Sequence, residues 1–209
     1  MKNIMLIGGG VGNAVLFSIG KACLENNSKV LYFAGYKKLN DAFKRTLIEN
    51  ASSVVVWACE EGLLETNRDQ DKSFHGNIVG AIISYQKGEL GVPTINLNAI
   101  DKIITIGSGR MMKAVNEARK STLKPYLKPS HVAISSINSP MQCMMKEICA
   151  QCVQRHIDQK TGEECFVYSC SNQDQDMETV DFDFLNERLG QNSLQEKLTA
   201  KWIDHARRY

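Results

Sequence analysis

Short apolar runs and longer amphipathic ones alternate through the first two thirds of the chain. KNIMLI (2–7), KVLYFAG (29–35), SSVVVWAC (52–59), DKIITIG (101–107) and HVAISSI (131–137) read as strands buried on both faces, rich in Val and Ile. Between them NAVLFSIGKACLENN (13–27), LNDAFKRTLIEN (39–50), GNIVGAIISYQKG (76–88) and GRMMKAVNEARKS (109–121) carry the helical period. In the first of these helices Val15, Leu16, Ile19, Ala22 and Cys23 share one predicted apolar face. Strand–helix alternation of this kind predicts an α/β fold, a doubly wound parallel sheet with helices on both faces. Ligands of such sheets bind beyond the carboxyl ends of the strands.

After residue 137 the pattern changes. Residues 138–180 hold cysteines and polar turns and predict a small Cys-rich appendage, in which CVQRHID and ECFVYS flank QKTG as a hairpin. Residues 181–209 predict a helical tail. Ser193 and Glu196 form an S-x-x-E capping box ahead of KLTAKWIDHARR, and Leu194, Leu198, Ala200, Trp202 and Ile203 predict partial burial there. The expected boundaries are therefore 1–137, 138–180 and 181–209.

Composition narrows the class. The 209 residues are 43% hydrophobic and 23% charged with a formal net charge of +2, an ordinary globular balance. No long basic run calls for nucleic acid. No apolar stretch is long enough for a membrane span, and MKNIMLIGGG does not read as a signal peptide, so a cytoplasmic setting is expected. Seven cysteines in a reducing compartment point to metal or redox chemistry before disulfides.

Gly8-Gly9-Gly10-Val11-Gly12 follows the first strand and opens the first helix, the setting of a phosphate-binding turn. Glycines admit close backbone approach, and the helix start offers unpaired N–H groups. The plain alternative is a tight turn without a ligand. The spacing departs from G-x-G-x-x-G, and no acidic residue stands about 20 residues on to hold a ribose. Lys37 and Lys38 end the second strand instead, where they could meet a 2′-phosphate or simply be solvated. Glu60 and Glu61 after the third strand could accept from ribose or carboxamide, or be loop charges. Arg110, at a helix start, is a candidate phosphate contact. Met111 and Met112 read first as packing residues, with Met111 also a candidate at the cofactor surface. The four histidines are scattered, with no spacing that suggests general-base or nucleophilic catalysis.

Cys143, Cys149 and Cys152 stand five and then two residues apart, and Cys165 and Cys170 follow. Thiolates in such a group select an iron–sulfur cluster, zinc or Cu(I). Plant-type two-iron centres space their first three cysteines by about four and then about two residues. Zinc prefers two short knuckles, and here only Cys149 and Cys152 make one, while small thiols without a metal are the third reading. Cys23 reads as core, and Cys59 as core at the edge of the expected cleft.

GGGVG after strand one, ACEEG (58–62), HGNIVGAI (75–82) and IGSGRMMKAV (106–115), in that order, resemble the pyridine-nucleotide domain of the ferredoxin–NADP reductase family. INSPMQCMMKEICAQC resembles the iron–sulfur segment that follows in two of its members. These are the electron-transfer subunit of dihydroorotate dehydrogenase and the alpha subunit of NADPH-dependent ferredoxin oxidoreductase (sulfide dehydrogenase). The resemblance spans about residues 2–175. It implies NAD(P)H at Gly8–Gly12 and at Gly107, Ser108, Arg110 and Met111, where Gly107-Ser108 stands for the usual Gly-Pro and Ile106 for a cysteine. It also implies a [2Fe–2S] cluster on Cys143, Cys149, Cys152 and, after the apolar FVYS, Cys170, with Cys165 the spare. Residue 2 already enters the first strand, so the family's FAD-binding barrel is expected to lie outside this chain. The expected partners are thus a flavin-binding domain or subunit, the chain being a fragment of a larger flavoprotein, and a ferredoxin-like redox protein. The C-terminal QNSLQEKLTAKWID resembles the end of large bacterial fusions of that kind. The competing expectations are a nucleotide-binding regulatory module with a four-cysteine zinc clip, and a transferase using the glycine turn for another phosphate ligand.

Overall fold

The computed structural model describes residues 2–137, 147, 148, 150, 152–172 and 174–208, without the side chains of 192, 193, 195 and 196. The chain divides into two compact units, Met1–Ser136 and Ile137–Tyr209.

The first unit holds β1 (Asn3–Gly9), α1 (Asn13–Glu25), β2 (Lys29–Tyr36), α2 (Arg45–Asn50), β3 (Val54–Cys59), β4 (Lys72–His75), α3 (Ile78–Gln86), β5 (Lys102–Ile106), α4 (Gly109–Lys120) and β6 (Val132–Ser136). Its six strands lie in the order β4-β3-β2-β1-β5-β6, and every pair is parallel. Parallel strands need crossovers, and these put α1 and α2 on one face and α3 and α4 on the other. Burial follows from this: Val54 to Cys59 are buried at every position of β3. Leu6, Tyr32, Val55, Trp57 and Ile104 face the α1 side with Leu16 and Ile48.

Three expectations change here. The predicted helix over 39–50 is helical only at Arg45–Asn50, after a short 3-10 turn at Leu39–Asp41. The Lys38 and Leu39 N–H groups are taken by the carboxylates of Asp41 and Glu61, and Lys44 sits at φ 49°, so the chain turns before α2 begins. On α1, Val15 and Ala22 are exposed, because the buried line runs through Asn13, Leu16 and Gly20. β4 (KSFH) carries no apolar run; it pairs with β3 at the sheet edge through backbone bonds that hydropathy does not signal.

The amino-end edge of β3 is held by an ion pair. Asp71 Oδ1 accepts from the N–H of Val55 at 2.8 Å and from Arg68 Nη2 at 2.7 Å, while Arg68 Nη1 donates to the carbonyls of Glu49 and Ser52. The Asp71 side chain has no exposure and Arg68 only 24%. Removing the carboxylate leaves a guanidinium and a strand N–H without their partner, so Asp71→Ala is expected to cost about 3–5 kcal/mol in urea unfolding.

The second unit holds β7 (Val153–Ile157) and β8 (Glu164–Tyr168), an antiparallel hairpin paired from Val153↔Tyr168 to Ile157↔Glu164. Its turn is set by Asp158, whose Oδ1 accepts from the N–H groups of Lys160 and Thr161, and by Gly162 at φ +74°. α5 (Phe182–Ala206) then runs to the end. It starts eleven residues before the expected capping box, so Ser193 and Glu196 lie within the helix. The true cap is Asp181, whose Oδ1 accepts from Asp183 and Phe184 N–H at 3.0 Å each, while Phe182 and Leu185 are buried just beyond. Leu194, Leu198, Trp202 and Ile203 are exposed rather than partly buried. Asp181 also ties the helix start to β7 through Arg155 at 2.6 Å, with Arg155 stacked on Phe184.

Cys152, Gln154 and His156 point to the buried side of β7. His156 Nδ1 lies 2.9 Å from Thr179 Oγ1, and burial lowers its pKa, opposed by the charge of Asp176. The folded state therefore disfavours the imidazolium, and the unfolded chain takes up the proton first. The stability that neutral His156 contributes is present above the unfolded value near 6.5 and falls as pH drops below it. Chemical unfolding of this unit between pH 7.5 and 5 is expected to show that loss, with the slope reduced in His156→Gln.

Candidate functional site

All strands of the first unit run the same way, so their carboxyl ends and following loops gather on one edge. β1 leads to β2 on one side, and β5 lies on the other, which makes the gap between β1 and β5 the topological switch point. That is where a crevice opens in such sheets. Gly8 and Gly9 end β1, Gly10–Gly12 form a single 3-10 turn, and α1 begins at Asn13. Gly10 takes φ +55°, a conformation that favours glycine, and Val11 beside it is 82% exposed. Gly107 and Ser108 follow β5, and Ser108 caps α4 by accepting from the Met111 N–H at 3.3 Å. Met111 extends back over the turn: a Cβ built on Gly107 would stand 2.6 Å from Met111 Cε and 3.3 Å from Gly9 Cα. Arg110 is exposed in the first turn of α4.

Asn13 organises the turn, a residue that the glycine pattern alone does not single out. It is fully buried, donates through Nδ2 to the carbonyls of Gly10 at 3.1 Å and Gly35 at 3.4 Å, and accepts at Oδ1 from the Tyr32 hydroxyl at 3.2 Å. Burial pushes the Tyr32 phenol far above its usual range, with Tyr36 adding to it, so Tyr32 stays a neutral donor. The signal in the sequence was an amide placed directly after the last glycine, with a tyrosine inside the next strand.

The neighbouring strand ends bring the other candidates to the same edge. Lys37 and Lys38 are exposed after β2, and Glu60 is exposed after β3. Backbone bonds stitch these ends together: Glu60 N–H donates to the Tyr36 carbonyl at 3.2 Å and Gly76 N–H to the Cys59 carbonyl at 2.8 Å. Glu61 accepts from the Leu39 N–H at 2.8 Å, and Glu60 and Glu61 are both exposed. Cys59 is fully buried with its thiol directed at the Lys37 carbonyl, 3.6 Å away. Cys23 is half-buried against the core, and burial raises its pKa against the opposing charge of Lys102.

In the second unit the hairpin places the two late cysteines differently. One step past the Val153↔Tyr168 pair, Ser169 N–H donates to the Cys152 carbonyl at 3.3 Å, so Cys170 follows the residue facing Cys152. Cys165 instead pairs with His156 and is exposed. Cys143 and Cys149 lie outside the described residues. Among the described residues no group of three His, Cys, Asp or Glu side chains is arranged to hold a metal ion. None of the described helices is long and apolar enough to cross a membrane.

No family model matches the chain. A solved structure of an NADH-dependent reduced ferredoxin-NADP oxidoreductase, described for flavin-based electron bifurcation, is similar with a TM-score of 0.69 and 20% identity. The fold is ferredoxin reductase-like. The similarity covers 97% of this chain but 62% of that one, so this chain spans less than two thirds of the matched structure. A stretch of 66 residues, 32% of the chain, is 48% identical to an uncharacterised protein of Rickettsia prowazekii (strain Madrid E), of which it covers 9%.

The bonds around Asn13 predict its cost. Asn13→Ala removes the side-chain acceptor of a buried phenol and the donor to the carbonyls of Gly10 in the turn and Gly35 in β2. We expect a loss of about 1–3 kcal/mol in thermal or urea unfolding, with backbone amide exchange at residues 8–14 accelerated beyond the rest of the sheet.

Proposed function

We propose that this chain is the NAD(P)H-binding and [2Fe–2S] electron-transfer module of an FAD-dependent oxidoreductase, with the flavin held outside it. The observation that carries this reading is the glycine turn at the switch point of a ferredoxin reductase-like sheet, with Asn13 fixing its backbone. Backbone N–H groups at the start of α1 and the cap of α4 would receive the pyrophosphate. Arg110 adds a cation beside it, and Glu60 offers an acceptor at the next strand end. Lys37 and Lys38 would pair with a 2′-phosphate, which favours NADP over NAD. A ferredoxin-like protein is the expected redox partner.

Cys143, Cys149, Cys152 and Cys170 would hold the cluster, which supplies one-electron transfer when bound. The fit of the described residues is partial: the hairpin places Cys170 next to the residue facing Cys152, and sets Cys165 apart. The polypeptide's part is to bind, orient and set the electrostatics.

The test is the visible spectrum of anaerobically prepared full chain, with iron, sulfide and zinc analysis. About two irons and two sulfides per chain are expected. Cys152→Ser and Cys170→Ser should lose them, while Cys165→Ser keeps them. Reduction by NADPH should be slow until FAD and a flavin-binding partner are supplied. About one zinc and no colour would contradict the electron-transfer reading and leave a structural clip.

A further inference from the structure

Met111 lies where a ligand of the switch point has to go. β1 ends at Gly9, and β5 is followed by Gly107, so these two residues stand side by side at the β1–β5 switch point. A Cβ built on Gly9 would overlap Met111 Sδ and stand 3.4 Å from its Cε. One built on Gly107 would stand 2.6 Å from Met111 Cε and 3.0 Å from Sδ. The thioether therefore rests across both glycine backbones at once. Glycine at both positions makes room for this side chain as well as for a ligand. A phosphate reaching those backbones must come to the same surface.

The two adjacent methionines differ. Met112 is 2% exposed and packs in the core, whereas Met111 is half-buried at the edge. The Met111 backbone is anchored, since its N–H is held by the Ser108 cap. Its side chain turns about three soft bonds, and a thioether forms no directed bond that would hold it in place.

We infer that Met111 is a retractable cover of the nucleotide crevice, which must swing off Gly9 and Gly107 for a dinucleotide to bind. It is a positioning residue and rests on the nucleotide-binding reading above. A closed cover weakens apparent affinity by the fraction of molecules that are open, since only those bind. Removing the thioether removes that penalty, and a side chain of similar bulk restores it.

The experiment is calorimetric titration of NADP+ and NAD+ into the full chain, wild type, Met111→Ala and Met111→Leu, with melting temperatures measured alongside. Met111→Ala is expected to bind about tenfold tighter, as removal of a cover closed about nine-tenths of the time requires. Met111→Leu should stay within about twofold of wild type on the same population argument. Equal affinity of wild type and Met111→Ala overturns the cover. Weaker binding by Met111→Ala also overturns it and makes the thioether a direct contact. If wild type and both variants, all folded, bind neither nucleotide, the nucleotide reading itself fails and the cover with it.

Discussion

The close approach of the glycine turn to the end of β5 is the constraint from which the rest of the site follows. A Cβ on Gly12 would overlap the Ile106 carbonyl oxygen, so the turn after β1 lies against the end of β5 only because residue 12 lacks one. The sheet order makes this junction the point where successive connections diverge. α1 and α4 both start there, one directly after the glycine turn and the other behind the Ser108 cap. Two helix starts and a glycine backbone floor thus share one edge. Asn13 locks that floor from below by tying Gly10 to Gly35 and receiving the Tyr32 hydroxyl.

The parallel sheet was legible because strands buried on both faces must be apolar along their whole length. Val54–Cys59 is buried throughout, and its run of β-branched residues announces that. β4 was not legible: an edge strand with partial burial needs backbone partners more than hydrophobic ones, and KSFH carries no period. The same difference explains the terminal helix. Ser193 and Glu196 have the right residue types for a start, yet Asp181 wins because Phe182 and Leu185 are buried beside it and Arg155 grips its carboxylate. A local motif lost to tertiary anchoring. Helix 39–50 is interrupted where Ala42 is extended and Lys44 takes φ 49°, so that only Arg45–Asn50 is helical.

Residue types marked the glycine site, but the roles within it needed coordinates. Gly8–Gly12 could be named from their place between a strand and a helix, and Gly107 and Ser108 from the family resemblance. That Met111 lies over two of those glycines follows from how α4 leaves β5, which no spacing encodes. The cysteines divide similarly. A hairpin around QKTG was readable, and its register places Cys170 rather than Cys165 next to the strand end bearing Cys152.

The central claim is that a dinucleotide sits at the β1–β5 switch point. Hydrogen–deuterium exchange of the full chain with and without saturating NADPH tests it most directly. The account predicts slowed exchange at residues 8–14 and 107–112, with residues 52–55 and 68–72 at the opposite edge of the sheet unchanged. No protection at the glycine turn under saturation, or protection confined to another part of the chain, would contradict it.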